Sequence, residues 1–349
     1  MAKKKGEDNP NAGLSPIDIL KKASKNGGFG QCVPSRPKLS TGSLALDLKL
    51  GGGIASDRIV EWYGKTGSFK TSMAIMTLLS HIMLFPDDKR PRLIVDLERT
   101  ITEGHLRNFG IDPATIWIEK PTTAEETMNF VSDAIHSGAV SWVLLDSIDA
   151  MESEEDTKKS YGESSMMKLA KLLSEAMRDL SKAVVDNNVS LQMINQIRAG
   201  SNGYQMVETT SGGAAIPYYA SQRIKMKKES KPGNNPMAAL LSAEIRKNKM
   251  FPTIGAESSF EFIPSKGVDI ASDRLAAGLQ IGAIQQGGAY YSILNLTEEL
   301  IYKAKGAKDF ASWLSDNQTM FDDMLRKRSD GLVAEIANGD EAPADENEY

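Results

Sequence analysis

The stretch Arg58–Phe85, RIVEWYGKTGSFKTSMAIMTLLSHIMLF, decides the fold. An apolar strand precedes a glycine-bearing loop, Gly64–Thr71, and an apolar helix follows, as in a phosphate-binding loop. Backbone N–H groups of such a loop and of the first helical turn carry partial positive charge and hold phosphate oxygens. Lys70 is expected to reach the β- and γ-phosphates, and the Thr71 hydroxyl to bind Mg²⁺. The loop departs from the pattern G-x-x-x-x-G-K-[ST] because Phe69 stands where the second glycine is usual.

Composition and charge exclude several classes of protein. The net charge of −5 argues against a basic nucleic-acid coat, although Lys225–Lys231 and Arg246–Lys249 are locally basic. The lone Cys32 excludes a disulfide framework and a cysteine-rich zinc site. The longest apolar helix, Ser72–Phe85, is shorter than the roughly 18 residues that a membrane span requires. We therefore expect a soluble protein of the cytoplasm.

From Ser40 onwards the sequence alternates strands and helices, which predicts a mainly parallel sheet with helices on both faces. The predicted strands are Arg58–Tyr63, Arg92–Leu97, Ser141–Leu145 and Val189–Ile197. The predicted helices are Thr71–Phe85, Thr102–Phe109, Ala124–His136 and Ser165–Asn187. Three later strands have no helices between them and are expected to extend the sheet as antiparallel edges: Ser221–Lys227, Ala239–Arg246 and Ser259–Ile263.

Shifts in composition predict four segments. Residues 1–38 comprise a disordered start, a short amphipathic helix and a Gly- and Pro-rich linker, and residues 39–271 form the core. Residues 272–337 form a small α/β domain, and the acidic residues 338–349 are expected to be disordered. The short helix, Pro16–Ser24, either packs on its own domain or docks on a neighbour. In the small domain we expect helices at Asp273–Gln285 and Asp309–Ala337, with a core of Trp313, Leu314, Phe321 and Leu325.

Polar residues stand at the predicted carboxyl ends of the strands, where ligands bind in sheets of this kind. Asp146 follows four apolar residues; alone it would more often be a turn residue, but the phosphate loop favours a role in holding Mg²⁺. Glu98 is placed to orient or deprotonate an attacking water, the alternative being a surface carboxylate paired with Arg99. Gln196 could contact a γ-phosphate and pass its presence to the following loop, or merely cap its strand.

Other positively charged and loop residues have two interpretations each. Period-two alternation puts Lys247 and Lys249 on one side of a strand, either in solvent or facing a neighbouring subunit's nucleotide. The loops Asp156–Met167 and Arg198–Gly213 mix Gly, Ser, Thr, Tyr, Met and basic residues. Such loops suit nucleic acid, although flexible connections have the same composition.

Further motifs closely resemble those of the RecA recombinases. They are STGSLALD (Ser40–Asp47), MINQIR (Met193–Arg198), ETTSGGAAIPYYASQRI (Glu208–Ile224), IRKNK (Ile245–Lys249) and GGAYYSI (Gly287–Ile293). The resemblance runs from about Pro16 through the tail. It implies a RecA-type P-loop ATPase fold and a single-strand-DNA-dependent ATPase that uses ATP and Mg²⁺. The Ser-Phe-Lys-Thr variant of the phosphate loop is similar to that of the UvsX phage recombinases, which suggests a viral or divergent member.

The resemblance also implies roles for individual residues. Asp146 would be the Walker B carboxylate, Glu98 the catalytic base and Gln196 the link from ATP to a DNA-binding loop. Lys247 and Lys249 would reach the ATP of the next protomer. Nucleotide contacts are carried over to Gly64, Lys65, Thr66, Gly67, Ser68, Phe69, Lys70, Thr71 and Ser72, with Thr102 and His105 near the base. DNA contacts are carried over to Met166, Lys171, Arg178, Arg198, Tyr204, Ser211, Gly212 and Gly213.

The partners implied are single-stranded DNA, homologous duplex DNA and further copies of the chain in a helical filament. Single-strand-binding and loader proteins are also possible partners. The N-terminal helix would dock on the adjacent core, and the acidic tail would restrain access to duplex DNA. The compartment would be a bacterial cytoplasm, or that of the host if a phage encodes the chain.

Two alternatives remain open. A ring-forming motor such as a helicase shares this core but is not expected to carry MINQIR together with ETTSGG. A regulatory paralogue would bind DNA or a recombinase without turnover, and the presence of Lys70, Thr71, Glu98 and Asp146 argues against it.

Overall fold

The computed structural model describes residues 15–23, 36–152, 166–201, 206–229, 237–253 and 255–337. The chain divides into two units, Met1–Arg36 and Pro37–Tyr349. In the first, helix α1 (Pro16–Ala23) has Ser15 before its first turn, and the Ser15 hydroxyl donates to Asp18 Oδ2 at 2.7 Å. The predicted disordered start, most of the linker, most of the loop Asp156–Met167 and the acidic tail lie outside the described residues.

The second unit is built on a ten-stranded sheet, and a separate pair of strands is formed by β1 (Lys38–Leu39) and β2 (Ile54–Ala55). The strands of the large sheet are β3 Ile59–Gly64, β4 Arg92–Asp96, β5 Ile116–Glu119, β6 Trp142–Asp146, β7 Ser190–Ser201, β8 Met206–Thr210, β9 Gln222–Lys228, β10 Ala239–Asn248, β11 Glu257–Ile263 and β12 Gly267–Val268. Their order in the sheet is β12-β11-β10-β9-β3-β7-β6-β4-β5, and β8 pairs with β7. Strands β9, β3, β7, β6, β4 and β5 are parallel, which confirms the mainly parallel sheet.

Helices cover both faces of this sheet, which explains why β3 and β6 are buried along their whole length. One apolar cluster contains Trp62, Ile75 and Ile94, and the cluster on the other face contains Leu145 and Met177. The helices of the core are α2 Leu44–Lys49, α3 Lys70–Leu84, α4 Glu103–Asn108, α5 Ala124–His136, α6 Met166–Asp186 and α7 Ala215–Tyr219. Within the described residues, no helix combines the length and apolar character needed to cross a membrane.

The expectation of antiparallel edges is wrong for β9 and correct for β10 and β11. Strand β9 runs parallel to β3, with Ile224 opposite Trp62. Parallel neighbours need a crossover connection, and here the hairpin β7–β8 followed by α7 returns the chain to the start of β9. Strand β5 was not predicted because its four residues give too short a pattern; it forms the far edge of the sheet beside β4.

The predicted loop Arg198–Gly213 is largely a β-hairpin. Strand β7 continues past Gln196 to Ser201, and β8 pairs with it antiparallel from Ile197 opposite Thr210 to Ser201 opposite Met206. The glycines and serines suggested an irregular segment, but pairing with β8 satisfies the backbone of β7 beyond the sheet edge. The hairpin is therefore a direct extension of a central strand.

The C-terminal part carries a three-stranded antiparallel sheet between two helices. Its elements are α8 Ile270–Gln280, β13 Ile284–Gly287, β14 Tyr290–Leu294, β15 Leu300–Lys305 and α9 Gly306–Ala337. The prediction of a helix at Asp273–Gln285 is wrong at both ends. The helix starts earlier because Asp269 caps it by accepting from Ser272 N at 3.0 Å, and it ends before Gly282, whose φ is +71°. The expected core is confirmed, since Leu314, Phe321 and Leu325 are buried and Trp313 packs against them.

Candidate active site

The carboxyl ends of four adjacent strands bring the predicted nucleotide residues together. Gly64 at the end of β3 lies opposite Gln196 of β7, and Asp146 at the end of β6 lies opposite Asp96 of β4. Because the sheet order is β3-β7-β6-β4, these positions line one edge. The convergence expected from the sequence is therefore present in the fold.

The phosphate loop is held by the lysine that it carries. Lys70 Nζ donates to the carbonyl oxygens of Gly64 at 3.1 Å and Lys65 at 3.0 Å, so the ammonium lies inside the loop. Burial lowers the pKa of Lys70, while the carboxylates of Asp146, Glu98 and Asp149 act in the opposite direction. Gly64 is required sterically, since an added Cβ would lie 2.2 Å from the carbonyl oxygen of Met226.

Phe69 occupies a conformation that glycine adopts at lower cost. Its φ of 59° and ψ of 26° are left-handed, and it directly precedes helix α3. Its ring packs on Phe262 with centroids 5.1 Å apart, and Phe262 contacts Phe109 at 6.3 Å. The side chain thus anchors the loop to the core. No local pattern in the sequence marks Phe262, because its contact with the loop arises only when β11 joins the sheet.

We expect Phe69→Gly to weaken nucleotide binding about 3- to 10-fold without abolishing hydrolysis. Glycine removes the conformational cost of a left-handed backbone at this position, about 1–2 kcal/mol. Loss of the ring contact and of its burial, however, removes about 2–3 kcal/mol of stabilisation of the loop. The loop then loses its anchor. Calorimetric nucleotide titration and steady-state turnover test this, with Phe262→Leu as the matched variant that removes only the partner ring. Unchanged affinity in Phe69→Gly would contradict the prediction.

Thr71 and Asp146 form a pair of oxygen ligands suited to a hard divalent cation. The Thr71 hydroxyl donates to Asp146 Oδ2 at 2.7 Å. Burial raises the pKa of Asp146 to about 7; the nearby carboxylates of Glu98 and Asp96 add to this, and Thr71 and Lys70 oppose it. Positive charge brought to this buried carboxyl therefore favours its ionised form. Among the described residues, no cluster of three or more His, Cys, Asp or Glu able to hold a metal occurs.

Glu98 is positioned by the strand that carries Asp146. The backbone N–H groups of Leu97 and Glu98 donate to the Asp146 carbonyl at 2.7 and 3.3 Å. The Ser147 hydroxyl donates to Glu98 Oε1 at 2.6 Å, which fixes an otherwise exposed carboxylate. Sequence reasoning missed Ser147, although its place directly after Asp146, the predicted metal ligand, could have marked it. The arrangement suits a general base beside the phosphate loop.

Gln196 connects the phosphate loop to the β7–β8 hairpin. Its Oε1 accepts from the Thr66 hydroxyl at 3.1 Å, and its backbone N–H donates to Asn195 Oδ1 at 2.9 Å. Asn195 Nδ2 in turn donates to the Ser211 carbonyl at 3.0 Å, where the hairpin ends. Two consecutive amides thus link the loop to both strands of the hairpin.

Thr102 and His105 lie on helix α4, with Thr102 as its N-cap accepting from His105 N at 3.2 Å. Burial lowers the pKa of His105, and its ring lies 5.5 Å from that of Phe109. The aromatic series from Phe69 through Phe262 and Phe109 therefore joins this helix to the phosphate loop. A role toward an adenine base stays a prediction.

Lys247 and Lys249 contact other parts of the molecule than the phosphate loop. Lys247 Nζ donates to the carbonyls of Pro217 and Tyr218, each at 2.7 Å, at the end of α7. Strand β10 bulges between Ile245 and Lys247 and ends at Asn248, so a shared side for Lys247 and Lys249 stays a prediction. Burial, with the nearby cations Lys249 and Arg223, lowers the pKa of Lys247 to about 8.

The described residues that are predicted to contact DNA fall on α6, on strand β7 and in the turn that follows β8. Lys171 and Arg178 are exposed on α6 and lie on one side of it, seven residues apart. Gly212 and Gly213 have φ values of +84° and +73° and pack against the same helix; a Cβ on Gly212 would lie 2.5 Å from Leu173 Cδ1. Tyr204 and the side chain of Met166 lie outside the described residues.

Arg198 and Ser211 both hydrogen-bond to Asp149, a residue that the sequence did not mark as part of a site. Arg198 Nε and Nη2 donate to Asp149 Oδ1 at 2.8 and 2.7 Å, and the Ser211 hydroxyl donates to the same oxygen. Asp149 lies in the short 3-10 helix Ile148–Ala150, just after Asp146. The hairpin is thus tied to the turn that follows the candidate metal ligand.

Known proteins resemble this chain in sequence and fold. The family model of the RecA N-terminal domain matches residues 31–269. The protein RecA of Sulfurovum sp. is 30% identical over 259 residues, covering 73% of each chain. That of Desulforapulum autotrophicum is 31% identical over 267 residues, covering 74% of this chain and 75% of the relative. A solved structure described as the RadB recombinase has a TM-score of 0.50 and 22% identity, covering 66% of this chain and 98% of the other. This last likeness concerns the fold alone.

Proposed function

The chain belongs to the RecA family, and we propose that it acts as a DNA-dependent ATPase in DNA recombination and repair. It assembles as a helical filament on single-stranded DNA and pairs that strand with homologous duplex. The observation that carries the proposal is the hydrogen-bonded path from the phosphate loop through Gln196 and Asn195 into the β7–β8 hairpin. A nucleotide site and a candidate DNA element are thereby joined within one strand.

The cofactors in this proposal are ATP and Mg²⁺. Thr71 and Asp146 would hold the ion, which neutralises phosphate charge and lowers the barrier to phosphoryl transfer. Lys70 binds the phosphates with its ammonium in place of the loop carbonyls that it contacts here. Glu98, held by Ser147, orients the attacking water and accepts its proton.

Gln196 senses the terminal phosphate in this scheme. Its amide oxygen accepts from Thr66 of the phosphate loop, and its Nε2–H group would donate to a γ-phosphate bound there. A shift of Gln196 moves the backbone of β7, and the hairpin that follows is the part of the chain proposed to contact DNA. The contacts come from Arg198 in strand β7, from Lys171 and Arg178 on α6, and from the turn after β8, which contains Ser211, Gly212 and Gly213.

Filament assembly would bring Lys247 and Lys249 to the ATP of the next protomer. Lys247 is held at the end of α7 by two carbonyls, so its ammonium is fixed relative to the exposed Tyr218. Docking of α1 on the adjacent core, the division into four segments, the mediator proteins, the restraint by the tail and the cytoplasmic location stay predictions from sequence. So does the phage-like character of the phosphate loop.

The test is electron microscopy of the full chain with single-stranded DNA and a slowly hydrolysed ATP analogue. We expect continuous helical filaments with DNA and nucleotide together, and few without nucleotide. Closed rings would favour the alternative of a helicase-type motor, and the absence of any assembly would contradict the proposal. Rising salt should weaken DNA binding steeply, because phosphate contacts release counterions.

A further inference from the structure

Asp149 joins the nucleotide centre to the hairpin through a single carboxylate oxygen. Its Oδ1 accepts from Arg198 Nε at 2.8 Å, from Arg198 Nη2 at 2.7 Å and from the Ser211 hydroxyl. The side chain of Asp149 is 21% exposed and that of Arg198 is 53% exposed. We call Asp149, Arg198 and Ser211 the clasp.

The clasp engages two groups that the proposed function assigns to DNA. One edge of the guanidinium and the only hydroxyl proton of Ser211 are directed at the carboxylate. A phosphate oxygen would accept from the same donors in a similar arrangement, since carboxylate and phosphate match the same edge of an arginine. The Ser211 proton cannot serve both acceptors at once, so the carboxylate and a DNA phosphate compete.

We propose that Asp149 is a positioning residue that holds the base of the hairpin in the DNA-free protein and is displaced by a DNA phosphate. The inference rests on the proposed function and extends it by naming the group that DNA must replace. Binding of DNA then releases a carboxylate at the turn that carries Asp146 and Ser147.

The position of Asp149 makes this release relevant to the nucleotide site. It follows Asp146 by three residues in one short turn, and its charge favours the ionised form of Lys70. Ser211 is held on its other side by Asn195, the neighbour of Gln196. Loss of the Ser211–Asp149 hydrogen bond would therefore affect the nucleotide site at two places, at the turn that carries Asp146 and at Gln196.

The matched variants are Asp149→Asn and Asp88→Asn. Asp88 is a carboxylate of similar exposure, 20%, and pairs with Arg90 at 2.7 Å, but it lies before β4 at the opposite edge of the sheet. Fluorescence anisotropy of the full chain with a labelled oligothymidine gives the dissociation constant at several salt concentrations. We expect Asp149→Asn to bind about 3- to 10-fold more tightly than the wild type, and Asp88→Asn to remain within about 2-fold.

The same substitution made in an Arg198→Ala variant distinguishes competition at the clasp from a general effect of removing a negative charge. In Arg198→Ala the carboxylate has lost its main donor, so adding Asp149→Asn should change DNA affinity less than about 2-fold, a departure from additivity that shows the two residues to be coupled. Hydrogen–deuterium exchange without DNA supplies a readout independent of binding. Peptides that cover 197–211 should exchange faster in Asp149→Asn than in Asp88→Asn.

The results that contradict the clasp differ from those that contradict the proposed function. Equal DNA affinity of Asp149→Asn and wild type, or weaker binding by Asp149→Asn, contradicts the clasp alone. An equal gain in affinity for Asp149→Asn in the Arg198→Ala background also contradicts it. If neither the wild type nor Asp149→Asn binds DNA, the proposed function fails and the clasp fails with it.

Discussion

Lys70→Ala should reduce ATP hydrolysis by at least about 100-fold, because the ammonium inside the phosphate loop is the cation placed to meet charge on the transferred phosphoryl group. In the folded protein its Nζ donates to two carbonyls of the phosphate loop, so the positive charge already lies inside the loop. Weaker nucleotide binding should accompany the loss of rate. Alanine leaves the backbone N–H groups of the loop in place.

Phosphate release measured with and without single-stranded DNA tests this expectation. Lys65→Ala is the matched control, because it removes an exposed lysine from the same loop whose expected contribution is its backbone. We expect that variant to retain activity within about 5-fold. Thermal unfolding of both variants separates loss of chemistry from loss of fold. Undiminished hydrolysis by Lys70→Ala would overturn the assignment of the chain as an ATPase.

Glu98→Gln should bind nucleotide with near-normal affinity and hydrolyse it about 100- to 1,000-fold more slowly. Glutamine keeps the size of the side chain and an oxygen able to accept from Ser147, but it cannot take a proton from water. The hydrogen bonds that orient the turn come from backbone N–H groups of Leu97 and Glu98, so they persist in the variant. DNA filaments formed with ATP should consequently be long-lived.

Single-turnover hydrolysis and nucleotide titration together test the role of Glu98. Glu103→Gln provides the control, since Glu103 is an exposed carboxylate paired only loosely with Arg107 at 3.6 Å on helix α4. Its rate should stay close to that of the wild type. Normal turnover by Glu98→Gln would contradict the role of Glu98 and mean that another group is the base.

The elements that could be predicted from the sequence are long and have regularly placed apolar residues or a recognisable motif. Strand β3, the phosphate loop and helix α3 follow from an apolar run, glycines and Lys70-Thr71, all within 28 consecutive residues. Helix α6 is amphipathic over 21 residues, and its predicted bounds agree closely with Met166–Asp186. Local pattern is sufficient where one face of an element is buried along its whole length.

The sequence alone determined the chemistry available to this protein: a phosphate loop, carboxylates at strand ends, a family membership and the residues that carry it. Only the tertiary structure decided that Phe69 is anchored by Phe262, that Ser147 holds Glu98, that β9 runs parallel to β3 and that Asp149 binds Arg198 and Ser211. These contacts join residues far apart in the chain, and their partners have no fixed spacing along it. Their geometry exists only once the order of the strands in the sheet is set, because that order determines which strand ends become neighbours.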